Sequence, residues 1–299
     1  MLYQLEKWYF DFLTEAGDYF FGYFAQVAFL GTRTSELALH LRRAGTDEPV
    51  KWSGRLPAEV SGGATPTIDF PAGRLTFSPA AASVAVNLPD ASVRLEYTAR
   101  PLTDPGLAIA ARRGTVLWQP VMLGAMVQGE VQLRGRTIVA SNVRGYDDYL
   151  RSTVLPPSVP VRTLFWGRAH DSYCDLTYTV ASGPAGAWPR LVLRIGERVI
   201  VATDVKVEPS EWRPSPELGI ACPSRYRLNA TGPGLGVELD VVHESAAVES
   251  EFISGPLLRR ITRNPRGVKF TGRAVARIEH SGTTLRTEVP LLDEYALFD

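Results

Sequence analysis

The 299-residue sequence predicts an all-β protein built of antiparallel strands. Three observations carry this. Apolar and polar residues alternate with a period of two in segment after segment, short Gly- and Pro-containing turns separate those segments, and strands do not alternate regularly with long helices.

From the start of the chain, nine aromatic residues, Trp8, Tyr9, Phe10, Phe12, Tyr19, Phe20, Phe21, Tyr23 and Phe24, fall within seventeen positions. Alternation divides them between two strand faces, as suits a barrel whose interior is packed with large side chains. Ser35 to Arg43 is the best helical candidate but also fits a strand, because Leu37, Leu39 and Leu41 alternate with Ala38, His40 and Arg42; it reads as strand. Ser83–Leu88 and Val93–Tyr97, split by Pro89-Asp90, form a hairpin. In Val127 to Leu133, Gln128, Glu130 and Gln132 face one way and Val127, Gly129, Val131 and Leu133 the other, so one side is wet and one dry. Two further hairpins follow, Leu191–Ile195 with Val199–Val201 and Ala274–Ile278 with Leu285–Val289.

Val154 to Pro160 holds three prolines in seven residues, which suits an extended connector rather than a paired strand. The expected domains are therefore residues 1–156 and 161–299. No close sequence repeat relates the halves.

With 45% hydrophobic and 21% charged residues, the chain can bury a sizeable core. Its 32 basic residues cancel its 32 acidic ones, which removes the overall attraction that nucleic-acid and anionic-membrane binders use. Cys174 and Cys222 are too few for a disulfide framework or a four-thiolate zinc site and read as buried thiols. Glu6, Lys7 and Asp11 interrupt the first dozen residues, which do not resemble an export signal. The most apolar window, Tyr19 to Leu30, contains Gln26 and is short of the roughly 20 residues a membrane helix needs. The expectation is a soluble cytoplasmic protein with no integral membrane segment.

Familiar catalytic signatures (GxSxG, HExxH, CxxC, the P-loop) are missing. Gly232-Pro233-Gly234-Leu235-Gly236 reads as a turn, since a strand-like segment follows where a dinucleotide loop would open a helix. His40, His170, His243 and His280 are scattered, and none has a second imidazole at metal-ligand spacing, so no metal site is expected. His170-Asp171 and His243-Glu244 read as surface or loop polar residues, because neighbours on a strand point to opposite faces.

Four segments, taken in order, carry a family resemblance. Lys7-Trp8-Tyr9-Phe10-Asp11 resembles the E-W-W-Y-F-D signature of a lipocalin-like superfamily that holds carotenoid 1,2-hydratases, AttH-type proteins and lipocalin-like Diels-Alderases. Leu117-Trp118-Gln119-Pro120 is similar to its W-Q-P, Arg144-Gly145-Tyr146-Asp147-Asp148-Tyr149 to the hydratases' G-x-G-Y-x-D-x-N, and Phe165-Trp166-Gly167-Arg168 to a W-x-W-G/S-R strand. Leu150 and Arg151 stand where the hydratases carry Asn and Gly, and only Trp8 represents the tryptophan doublet. The resemblance implies two lipocalin-like antiparallel β-barrel domains packed together around a hydrophobic cavity. It also implies an enzyme that works without redox cofactors on greasy polyenes or terpenoids. As implied site residues it brings Tyr146, Asp148 and Trp118.

The chemistry of such a site follows from general principles. Protonating an alkene requires a donor that still holds its proton at neutral pH, and a carboxyl in an apolar cavity does so because desolvation penalises its charged form. Asp148 is the candidate acid, with Asp147 expected to point outward on the extended segment. Trp118, Trp166, Tyr146, Trp8 and the other N-terminal aromatics are candidate substrate-binding residues that could stabilise a carbocation, by up to about 2 kcal/mol each when desolvated. In a pericyclic alternative, catalysis rests on substrate folding and on hydrogen-bond donors such as Tyr146 or Arg144. A third reading is a lipid-binding module without catalysis. All three expect a hydrophobic small molecule as partner.

Overall fold

The computed structural model describes residues 2–46, 49–215, 219–249 and 266–298, with backbone only for 245–249. The chain divides into two compact units, Met1–Leu155 and Pro156–Asp299. The second opens on a single 3₁₀ turn at Pro156–Ser158, within the proline-rich connector.

In the first unit, β1 (Tyr3–Leu13), β2 (Tyr19–Phe29), β3 (Thr32–Arg42) and β4 (Val50–Arg55) step outward to one edge of the sheet. The chain then crosses to the far edge and returns through β5 (Glu59–Ser61), β6 (Thr67–Phe70), β7 (Gly73–Phe77), β8 (Ala81–Leu88) and β9 (Ala91–Thr98). After β10 (Leu107–Ala111), which pairs alongside, β11 (Gly114–Leu133) and β12 (Arg136–Ser152) complete the return, and β12 pairs with β1. The second unit repeats this path. Its outward strands are β13 (Thr163–His170), β14 (Cys174–Gly183), β15 (Gly186–Ile195) and β16 (Arg198–Ala202). Its return strands are β17 (Asp204–Ser215), β18 (Ile220–Gly232), β19 (Leu235–Glu249), β20 (Arg266–His280) and β21 (Thr283–Leu297), which pairs with β13. Both sheets are antiparallel and curl around their own cores, and no α-helix occurs among the described residues.

The predicted hairpins are present as β8–β9, β15–β16 and β20–β21, and Ser35 to Arg42 lies in strand β3. Alternation decides which face each strand buries. Trp8, Phe10 and Phe12 of β1 meet Phe20, Phe24, Leu37, Leu39 and Leu41 in the first core, each fully buried. Burial of one such side chain contributes roughly 1.5–3 kcal/mol. The second core gathers Tyr178, Leu191, Leu193, Tyr226, Leu228, Leu239 and Leu291 in the same way. Cys174 and Cys222 are buried free thiols.

One consequence of this topology matters for the site. Closure of the first sheet by β12 against β1, with β11 on the far side of β12, brings three of the four sequence segments onto adjacent strands: Lys7–Asp11, Arg144–Tyr149 and Leu117–Pro120. The fourth, Phe165–Arg168, lies on β13 in the second unit.

Candidate active site

Register divides the residues of β1 and β12 between two faces. Trp8 is opposite Tyr149 and Phe10 opposite Asp147, all turned toward the first core, while Tyr9 is opposite Asp148 and Asp11 opposite Tyr146 on the other face. Across β2 and β3 the second set continues as two rows, Asp148–Tyr9–Tyr23–Ala38 and Tyr146–Asp11–Phe21–His40. Every member of both rows is buried.

Asp148 is 7% exposed, and its Oδ2 accepts the indole N–H of Trp118 at 2.9 Å. Tyr9 donates its hydroxyl to Asp11 Oδ2 at 2.8 Å, and its ring lies 6.3 Å from that of Tyr146, centroid to centroid. His40 stacks on Phe21 with ring centroids 4.3 Å apart, and the Lys7 ammonium sits 4.6 Å over the Tyr23 ring. The face is therefore aromatic, with two carboxyl groups set into it. An indole N–H can only donate, so when Asp148 is neutral its Oδ2 is the accepting oxygen and the proton resides on Oδ1.

Of the other candidate residues from the sequence, Trp8 and Trp166 lie elsewhere. Trp8 points into the core, where it packs on Phe24 and Tyr149 and donates its N–H to the Gly63 carbonyl at 3.0 Å. Arg144, opposite Leu13, shares the face of Tyr146 and Asp148; it is half-buried, with Nη1 on the Gly124 carbonyl at 3.0 Å. Trp166 is buried in the second unit under the Lys269 ammonium, 4.4 Å from its ring.

Asp147 corrects an expectation. It was expected to point outward but is 1% exposed and turned into the core, and neither carboxyl oxygen has a hydrogen-bond partner among the described residues. The reason is that β12 is a central strand with both faces buried here, so leaving one face does not bring a side chain to water. Burial pushes the Asp147 carboxyl well above the usual carboxylate range, and the neighbouring Asp148 and Asp11 carboxyls push the same way whenever they are ionised.

Three solved structures share this architecture. CghA, solved with Sch210972, is 12% identical and superposes with a TM-score of 0.75 over 99% of this chain and 89% of its own. An AttH-like protein of Nitrosomonas europaea is 14% identical, with a TM-score of 0.65 over 97% of this chain and 92% of its own. Kievitone hydratase from Nectria haematococca is 12% identical, with a TM-score of 0.61 over 98% of this chain and 89% of its own. The fold is lipocalin-like. No family model and no curated protein matches the sequence.

In the second lipocalin-like unit, the core holds a polar cluster that the sequence reading missed. Asp293 Oδ2 receives the Tyr226 hydroxyl at 2.6 Å and lies 2.6 Å from His243 Nε2, while Oδ1 receives the Glu294 backbone N–H at 2.9 Å and the Tyr178 hydroxyl at 3.1 Å. Tyr178 and Tyr226 also hydrogen-bond each other. His243 Nδ1 is 2.7 Å from the Pro223 carbonyl and so carries a hydrogen there. Burial, and then the Asp293 charge, push both phenols well above their usual range. His243 is thus a buried core residue, not the surface residue expected, because its partner lies fifty positions away, beyond the reach of neighbour-based reading.

Among the described residues no group of three or more His, Cys, Asp or Glu side chains is arranged to hold a metal ion. No helix among them is long and apolar enough to cross a membrane. Asp11 and His40 had no assigned role, and Tyr9 and Phe21 were candidates only as members of the N-terminal aromatic set. Their signal was the parity of β1: Tyr9 and Asp11 alternate with Trp8 and Phe10, so they share a face with whichever β12 residues oppose them.

Proposed function

We propose that this protein is a cofactor-independent enzyme that cyclises, isomerises or hydrates a hydrophobic terpenoid or polyene, with Asp148 as the proton donor. The supporting observation is the buried Asp148 carboxyl, held through Oδ2 by the Trp118 indole within an aromatic face. Structural likeness to a protein named a hydratase and to one solved with a bound small molecule accords with this reading.

In the proposed step, the Asp148 Oδ1 proton passes to one alkene carbon and the π electrons form the new C–H bond, leaving a carbocation and the Asp148 carboxylate. Trp118 continues to donate to Oδ2, and that hydrogen bond is stronger to the charged form, so it favours the product side of the transfer. The electron-rich face of Tyr146 is suited to stabilise the cation, whereas the Tyr9 and Tyr23 rings already lie under the Lys7 ammonium. Loss of a proton from a neighbouring carbon gives an isomer or a ring, and capture of water gives an alcohol. In either case the released proton returns to Asp148, and no electron leaves the substrate.

The test is turnover by Asp148→Asn on a panel of terpenoid and polyene substrates, with product followed by mass spectrometry. Asn keeps the shape and the oxygen that accepts from Trp118 but has no acidic proton, so the rate is expected to fall about 10²–10⁴-fold. A variant that keeps most of the turnover would instead indicate catalysis by substrate folding, with Tyr146 and Arg144 as donors. Saturable binding by the wild type with no product from any substrate would leave only the lipid-binding reading.

A further inference from the structure

A pocket lies in the first unit, on the core-facing side of β2 and β3 and away from the Asp148 face. It has a volume of about 610 Å³ and is lined by Gln26, Arg33, Thr34 and Ser35 on one side and by Arg55 to Val60 on the other. That volume suits a small-molecule ligand. The Leu56 backbone N–H donates to the Ser35 carbonyl at 3.1 Å, which ties the two walls together.

Three features indicate what the pocket would take. Leu56, Ala58 and Val60 pack against the first core, so one wall is apolar and continuous with it. Gln26 and Ser35 are nine-tenths buried, and the only side-chain hydrogen bond of Gln26 among the described residues is a long one, 3.3 Å from Nε2 to Ser35 Oγ. The Gln26 carbonyl oxygen and second N–H, and the Ser35 hydroxyl proton, therefore retain hydrogen-bonding capacity at a buried position. The exposed Arg33 and Arg55 outweigh Glu59 in charge, which leaves an excess of positive charge on the lining.

From these features we infer that this pocket binds a hydroxylated apolar monocarboxylate, with the carboxylate on Arg33 and Arg55, the chain along Leu56 to Val60, and the hydroxyl on Gln26 and Ser35. Guanidiniums suit the carboxylate because they meet it with paired N–H donors. The Gln26–Ser35 pair would discriminate in favour of a hydroxyl because, without one, buried polar groups stay unsatisfied.

The experiment is calorimetric titration of the full chain with 3-hydroxydodecanoate, dodecanoate and the methyl ester of the hydroxy acid, each below its micelle concentration; a 3-hydroxyl stands close to the carboxylate, as Ser35 stands close to Arg33 and Arg55. Saturable binding of one hydroxy acid per chain is expected, with the ester at least about tenfold weaker and the affinity falling as salt rises. The surface double variant R33Q/R55Q should lose about tenfold for the acid and nothing for the ester, and Q26L should bind the two acids equally. Asp148→Asn should bind as the wild type does, which separates this site from the proposed catalytic face. Equal affinity for acid and ester, salt-independent binding, no saturable heat, or loss of binding in Asp148→Asn would each overturn the assignment.

Discussion

Asp147 and Asp293 occupy the same place in the two units, yet one is unpartnered and the other is saturated. Each lies on the closing strand, faces its own core and stands opposite the opening strand: Asp147 opposite Phe10, Asp293 opposite Gly167. Their neighbours match as well, Tyr149 opposite Trp8 and Tyr295 opposite Phe165, then Asp148 opposite Tyr9 and Glu294 opposite Trp166. The difference comes from the next strand over. In the second unit Gly167 faces Tyr178, and a Cβ on that glycine would lie 2.2 Å from the phenol oxygen, so only glycine lets the hydroxyl reach Asp293. In the first unit the two are reversed: Phe10 takes the glycine's place and Gly22 the tyrosine's, with the Phe10 ring lying where a Gly22 Cβ would be. Exchanging a glycine and a ring across one strand pair fills the same volume but removes the hydroxyl. A buried carboxyl is then satisfied or unsatisfied according to which strand bears the ring.

On the second face of each sheet the donors that can be named also differ. Glu294, at the place of Asp148, is paired with the Lys269 ammonium at 2.5 Å, and that ammonium also covers Trp166. Asp148 accepts the Trp118 indole N–H at 2.9 Å.

The comparison can be tested by changing one side at a time. The largest effect is expected from Asp293→Leu, which leaves the Tyr226 and Tyr178 hydroxyls, His243 Nε2 and the Glu294 N–H without their shared acceptor. A loss of about 3–5 kcal/mol is expected, read as lost hydrogen-exchange protection along β21.

Asp147→Asn should act in the opposite direction. A carboxyl whose folded pKa lies above its unfolded value of about 3.9 contributes stability that is fully present below that value and is lost as pH rises toward the folded pKa. The wild type should therefore weaken relative to Asp147→Asn as pH rises above about 4, and the variant should be more stable at neutral pH by about 1–3 kcal/mol. Urea midpoints across a pH series check this, and coincident curves for the two proteins would count against a neutral, unsatisfied Asp147. The smallest effect should come from Tyr178→Phe, at about 1 kcal/mol, because Asp293 keeps its other three donors.

The sequence made much of this fold legible, because alternation reports directly on burial. The Val127 to Leu133 strand, the three hairpins and the division of the N-terminal aromatics between two faces all follow from period-two patterning. The duplication was not legible. Its signature is a shared strand path, and the exchange of Phe10 and Gly22 for Gly167 and Tyr178 shows how equivalent rows are filled by different residues. Of the candidate site, Trp118 and Asp148 were named by the resemblance, while the hydrogen bond between them is a finding of the structure. The roles of Asp147 and Asp11 depend on strand register, which a single chain of letters does not display. The His243–Asp293 contact joins β19 to β21 across β20 and had no local mark at all.

The origin of the transferred proton tests the central claim most directly. With a converted substrate in heavy water, the Asp148 proton exchanges with solvent before each turnover, so the account predicts one deuterium bound to carbon in each product molecule, with Asp148→Asn forming almost no product. Product with no carbon-bound deuterium, formed equally well by Asp148→Asn, would contradict it.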